Sequence, residues 1–384
     1  MKKNSDSYNF DDIRPVIDSE VSDTIEELIA CEGLEEALRY VIPALDWEAL
    51  KAKLRLCKTK AQFKSSISYD LVMTVVKLST HSLTISGGER ISNHACMFMS
   101  NHRDIVLDAA FLNVLLYDIG HGMTQIAIGD NLLIYPWIKP VFRLNNSFFV
   151  KRSVSVRQRL EESKTLSAYI HHTIKETHES VWMAQREGRA KDANDTTQTG
   201  VLKMLDMAGK NDTLTNIMAL NIVPIAITYQ YDPCDYLKAQ EFQLKRDDPD
   251  FVKSKRDDLL NMEIGILENK GHVHFTIANP INPTIKTLPH YPNKNELIAE
   301  IASVIDREIY ANYRFFPCNY IAFDLLNNTN LFITKYNDIE IKDFEDYLQN
   351  QIAKIKIPNK DESYLRCKIL EMYSNPLKNH LENK

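Results

Sequence analysis

The chain has 384 residues, of which 44% are hydrophobic, enough to bury a sizeable core in one main domain with additions. Its net charge of −6 and pI near 6.0 argue against a nucleic-acid binder, for which a strongly basic domain is expected, and leave any contact with anionic lipid to local patches. Eleven glycines form no phosphate-binding loop, and the six cysteines have neither zinc-site nor disulfide-framework spacing, so reduced thiols in a cytosolic setting are expected.

In chain order, residues 1 to about 20 read as a polar arm. Met1 to Asp6 lack the apolar stretch of a signal peptide. From Val21 to about Thr80 the pattern is helical, with Leu28, Ile29, Leu34, Leu38 and Val41 near a 3.6-residue spacing and a second periodic stretch from Ala61 to Leu78. Leu83 to Ile91, containing Gly87-Gly88, reads as a strand and turn. Strands are then expected at Ala95–Ser100, Met123–Gly129, Ser147–Lys151, Val181–Gln185, Asn221–Tyr229 and His272–Ile281, with a helical pattern from Ser153 to Thr177. Strands alternating with helices predict an α/β layer fold with a mixed sheet, flanked by N- and C-terminal helical segments. After Pro280 and Pro283 the pattern turns helical again through Leu297, Ile301, Val304, Ile305 and Ile309. The expected division is 1–82 (arm and helices), 83–290 (central α/β domain) and 291–384 (C-terminal helices). No run reaches the 18 or so apolar residues of a spanning helix, which predicts a cytoplasmic protein, peripheral on the inner membrane face.

Chemistry-bearing residues gather just past the predicted strand ends. Ser100-Asn101-His102-Arg103-Asp104-Ile105-Val106-Leu107-Asp108 places a histidine before a helix start with acids close behind it. An imidazole there can be a general base held by a carboxylate, and the helix N-terminus disfavours its protonated form. Asp104 and Asp108 lie one turn apart, so either could approach the ring. Asp108 is preferred as the orienting acid, with an N-cap as the other reading of Asp104. His102-Arg103-Asp104 also opens a protein-kinase catalytic loop, but Ala109 stands where that loop needs asparagine, and no glycine-rich loop or Asp-Phe-Gly accompanies it. Next come Asn146-Ser147-Phe148-Phe149-Val150-Lys151-Arg152-Ser153, then Val181 to Arg189 with Glu187-Gly188-Arg189, then Ile222 to Tyr229 with Pro224.

These four blocks, in this order over roughly residues 83 to 285, resemble the glycerolipid acyltransferases, which include glycerol-3-phosphate and lysophosphatidate acyltransferases. The family usually has four residues between its histidine and aspartate; His102 and Asp108 are separated by five. The resemblance implies an O-acyltransferase of phospholipid biosynthesis that moves a fatty acyl group to a lysophospholipid or glycerol phosphate. The donor would be acyl-CoA or acyl carrier protein. His102 would be the base, Asp108 or Asp104 its partner, and Arg152 the acceptor's phosphate ligand. Lys151 and Arg189 are further phosphate candidates, Glu187-Gly188 matches the glutamate-glycine block, and Pro224 would shape the acyl pocket. An acceptor that is not a glycerophosphate, such as a lyso-aminolipid, and a lipid-binding protein without turnover are the alternatives. No cofactor is implied. His171, His172 and His178, like His272 and His274, have spacings some metal sites use, but no completing ligands accompany them and no metal is expected. Leu132 to Arg143 mixes aliphatic, aromatic and basic residues and suits either a membrane interface or a packed connection.

Overall fold

A computed structural model describes residues 8–152 and 155–383. The start of the predicted arm, and Ser153 at the start of the predicted helix, lie outside them. Seven strands form one sheet: β1 Ser82–Ser86, β2 Met97–Ser100, β3 Gln125–Gly129, β4 Ser147–Val150, β5 Val181–Ala184, β6 Ile222–Tyr229 and β7 His272–Ile277. The order is β1-β7-β6-β2-β5-β3-β4. Every neighbouring pair is parallel except β6 and β7, so β1 and β7 run against the other five. The fold is therefore α/β with a mixed sheet. Parallel strands β2 to β6 have their carboxyl ends on one edge, where ligands of such sheets bind.

Both faces of the sheet are covered, which is why these strands read as nearly continuous apolar runs rather than alternating ones. All eight residues of β6 are buried. On one face Phe98, Ile126, Trp182 and Ile225 pack against helix Leu107–Asp118, nine of whose twelve residues are buried. On the other face Met97, Met99, Phe148 and Met183 pack against helices Val156–Lys175 and Lys294–Ala311. Helix Lys294–Ala311 thus covers the sheet, although it lies beyond the boundary expected at residue 290. The helices before β1 have an apolar core of their own around Val21, Ile25, Trp47 and Phe63. Residues 9–16, expected in a polar arm, pack instead: Phe10 lies against Tyr169, Ile13 and Val16 are buried, and the Ile13 carbonyl accepts from the Phe149 amide. Three apolar side chains in that stretch outweigh its polar neighbours. Among the described residues no helix is long and apolar enough to cross a membrane. All six cysteines are free thiols.

The C-terminal helices Pro317–Asn327, Asp338–Lys354 and Glu362–Glu382 share a core with helix Asp235–Asp247, which follows β6. At its centre the buried Asp235 carboxylate accepts from the Tyr347 hydroxyl (2.7 Å), the Tyr373 hydroxyl (2.8 Å) and the Gln351 amide (2.8 Å). Burial first, and the neighbouring Asp232 carboxylate second, push Asp235 up to about 7. A carboxyl raised on folding binds its proton more tightly in the native state. Its stabilising contribution is complete below its unfolded value near 4 and is lost as pH rises towards about 7. Thermal melts between pH 4 and 7 should therefore show a downward contribution with rising pH that Asp235→Asn removes. An unchanged pH slope in the variant would refute the assignment.

Candidate active site

His102 follows β2 in a loop pinned to the neighbouring strand. The Asn101 amide donates to the Ile227 carbonyl (2.9 Å), and its oxygen accepts from the Ile227 amide N–H (2.8 Å). Asn101 thus extends the β2–β6 pairing by a side chain and fixes where the next residue emerges. His102 Nδ1 lies 2.8 Å from Asp108 Oδ2, the same oxygen that accepts from the backbone N–H groups of Arg103 (2.6 Å) and Asp104 (3.1 Å). An ionised carboxylate only accepts, so Nδ1 carries the proton and Nε2 is left with a free lone pair. The imidazole also meets the edge of Trp182 at 5.7 Å between ring centroids, and the Trp182 indole N–H donates to Ser100.

Asp104 has a different place. Its Oδ1 accepts from the Val106 and Leu107 amides (2.8 and 2.7 Å), bonding the turn that leads into helix Leu107–Asp118, whose N-cap position is Val106. It is fully buried, and burial followed by the Asp108 charge raises its pKa. Of the two acids, Asp108 is the one bonded to His102. Gly265 matters to this arrangement, because a Cβ there would run into the Asp104 carboxylate. Its absence lets helix Lys255–Leu267 close over the loop.

Below the loop, the buried Arg103 guanidinium lies between Asp195 (3.6 Å) and Asp232 (3.4 Å). Burial alone would raise Asp232, but the Lys238 and Arg103 charges outweigh it and hold that carboxyl below its usual range. Since the Arg103 backbone donates to Asp108, this ion cluster anchors the same segment that orients His102.

The other predicted residues collect around one cavity of about 1280 Å³, lined by His102, Lys151, Arg152, Glu187, Gly188 and Arg189 at the carboxyl edge of the sheet. Arg152 is 36% exposed, with its Nε 3.7 Å from Glu187 and its backbone N–H on Asp130. Gly129 gives it room: a Cβ there would stand 2.8 Å from Nε. Lys151 is engaged by Glu162 (3.1 Å) and Asp12 (3.6 Å). Arg189 donates to Asn261 (3.0 Å) and reaches the Arg103 carbonyl (3.4 Å). Gly188 has a left-handed φ of +67°, which calls for glycine there, and nothing lies within 4 Å of where its Cβ would be. Pro224 sits mid-strand in β6 beside Met99, its carbonyl accepting from Ala278, and is not part of the cavity wall. Arg186, to which the sequence reading gave no role, does line the cavity, and its buried Nε has no partner among the described residues. A basic residue two positions past β5 was its signal.

From the sheet edge the cavity extends between the sheet and the N-terminal helices, walled by Leu34, Leu38, Ile67, Leu71, Val75 and Val141 among others. Leu132, Trp137, Ile138 and Phe142 line it too; in that segment Ile138 is buried while Tyr135 is 46% exposed, so the stretch both packs and faces outward. Three of the five grouped histidines, His171, His272 and His274, are hydrogen bonded within the fold. His171 is hydrogen bonded to the Leu205 carbonyl and His274 to Thr84 and Ser86; among the described residues no cluster suited to a metal ion occurs.

Residues 82–228 match the family model described as Acyltransferase. No curated protein matches the chain. A similar solved structure is that of the 1-acyl-sn-glycerophosphate acyltransferase PlsC from Thermotoga maritima, at 11% identity and a TM-score of 0.40, covering 76% of this chain and 93% of that one.

Proposed function

We propose, from the match of residues 82–228 to the Acyltransferase family model, that the chain transfers a fatty acyl group from a thioester, acyl-CoA or acyl carrier protein, to the hydroxyl of a glycerol phosphate or lysophospholipid. The observation that supports this best is the His102–Asp108 pair, with its free Nε2, at the mouth of a long apolar cavity. The acyl chain occupies the cavity with its thioester carbonyl beside His102. Nε2 takes the proton from the acceptor hydroxyl as the oxygen attacks, while Asp108 holds the tautomer and stabilises the imidazolium. The C–S bond breaks, the ester forms, and the departing thiolate receives the proton from His102. No covalent enzyme intermediate is needed. Contact with a membrane surface would deliver the acceptor.

Arg152 is the proposed ligand of the acceptor's phosphate, assisted by Arg189 and Arg186, whereas Lys151 is occupied by its two acids. An arginine fork binds phosphate through paired charge-assisted hydrogen bonds, each group worth roughly 1.5–3 kcal/mol. Arg152→Lys keeps the charge and loses the fork. The acceptor KM should then rise about ten- to a hundredfold, with the acyl-donor KM little changed. An unchanged acceptor KM would point to an acceptor without a phosphate, such as a lyso-aminolipid.

A further inference from the structure

The apolar cavity has a polar end. Ser147 is the first residue of β4, so it stands at the amino edge of the parallel strands, opposite the edge that carries His102 and Arg152. Three steps along β4 at about 3.3 Å each separate it from Val150 by roughly 10 Å. In the sheet Ser147 is in register with Ile126, and Ile126 with Trp182. Paired residues of a parallel sheet share a face, so Ser147 points to the same side as the Trp182 ring that touches His102. Ser147 lines the cavity, is 1% exposed, and its hydroxyl has no hydrogen-bond partner among the described residues.

Lys64 reaches the same end. Lys60 donates to Asn146 (2.9 Å), and Ser68, two turns on, is bonded to Asn145. Lys64 lies midway between these contacts on the same helical face and therefore looks onto the turn that leads into Ser147. It too lines the cavity. The nearby Glu179 is held by Lys60 at 4.0 Å and by Gln125 and Asn146, and no acid pairs with Lys64 among the described residues. Burial lowers Lys64 to about 8. Residues 64–68 are π-helical, a local widening that recurs at functional sites.

A plain alkyl chain would bring its methyl end to this floor and leave the Ser147 hydroxyl unpaired at the end of the cavity that Lys64 also lines. We propose that the cavity takes a fatty acyl chain bearing a hydroxyl group far from its thioester, with Lys64 donating to that oxygen and Ser147 accepting its proton in a hydrogen bond. This rests on the reading of the cavity as the acyl site, and it names Lys64 and Ser147 as the residues that set donor specificity.

The test uses matched pairs of acyl-CoA donors of graded length, each plain and with a terminal hydroxyl, in competition for the wild-type enzyme. For the length that reaches the floor, the hydroxylated donor should be favoured by about tenfold or more in kcat/KM, since sites built to bond a hydroxyl discriminate strongly against its absence. In the Lys64→Met, Ser147→Ala double variant that ratio should fall to near one; where the double variant fails to fold by thermal melting, Ser147→Ala alone is read for a partial fall. A ratio of one at every length, or a preference that survives the variants, overturns the proposal. Displacement of a bound fluorescent fatty acid by plain and ω-hydroxy acids reads the same preference without turnover. A protein that transfers nothing yet binds the hydroxy acid about tenfold tighter would sink the transfer reading and keep this one.

Discussion

His102→Ala is expected to lower the acyl-transfer rate by roughly 10²–10⁴, the usual cost of removing a positioned general base, while the protein still folds. The ring's described contacts are one hydrogen bond to Asp108 and an edge-on meeting with Trp182, and it faces the cavity rather than the core. Its loop is held independently by Asn101 on the β6 backbone and by Arg103 between Asp195 and Asp232. Loss of rate without loss of melting temperature is therefore the expected signature. Turnover near wild type in the folded variant would remove the proposed base from the mechanism.

Asp108→Asn should cost nearly as much, on the order of 10²–10⁴, for a reason the geometry makes specific. Asp108 Oδ2 collects three donors: His102 Nδ1 and two backbone N–H groups. An asparagine that keeps its oxygen in that place still accepts from all three but brings no negative charge to stabilise the imidazolium that forms as His102 takes the proton. One turned to put its amide N–H₂ there meets three donors at once and forces Nδ1 to accept, which moves the ring proton to Nε2 and removes the lone pair a base requires. Asp104→Asn is the control, since the asparagine oxygen can accept the same bonds from the Val106 and Leu107 amides. That variant should retain most of the activity, whereas Asp104→Ala should cost roughly 1–3 kcal/mol of stability, because it leaves the Val106 and Leu107 amides without their acceptor. A larger rate loss at Asp104→Asn than at Asp108→Asn would reverse the assignment of the two acids.

Much of the architecture was legible because the strands are short, apolar and bounded by polar turns. The six strand runs after Ile91 all appear, with ends trimmed by one to four residues. His102, Arg152 and Glu187 could be placed at one edge because each follows such a run, and parallel strands bring their carboxyl ends together. The direction of β1 and β7 was not legible, since nothing in His272–Ile277 distinguishes a parallel from an antiparallel partner. Contacts between distant segments were equally hidden: Asn101 on Ile227, the space Gly129 leaves for Arg152, and Gly265 against Asp104 each join residues with no local signal. Pro224 lay in the expected strand, yet strand membership does not say which side chains reach a cavity. The packing of residues 9–16 is hidden for a similar reason, because Phe10, Ile13 and Val16 among polar neighbours bury only when a sheet edge is there to receive them.

The most direct measurement incubates the purified protein with an isotopically labelled acyl-CoA and a panel of hydroxyl acceptors: glycerol phosphate, lysophosphatidate, other lysophospholipids and a phosphate-free lyso-aminolipid. Mass spectrometry follows the ester while a thiol reagent follows the released CoA; the same panel is run with acyl carrier protein as donor. The expected result is labelled ester and free thiol in equal amounts, formed fastest with a phosphate-bearing acceptor and lost in His102→Ala. A folded wild-type protein that forms no ester from either donor with any acceptor would contradict the proposed transfer.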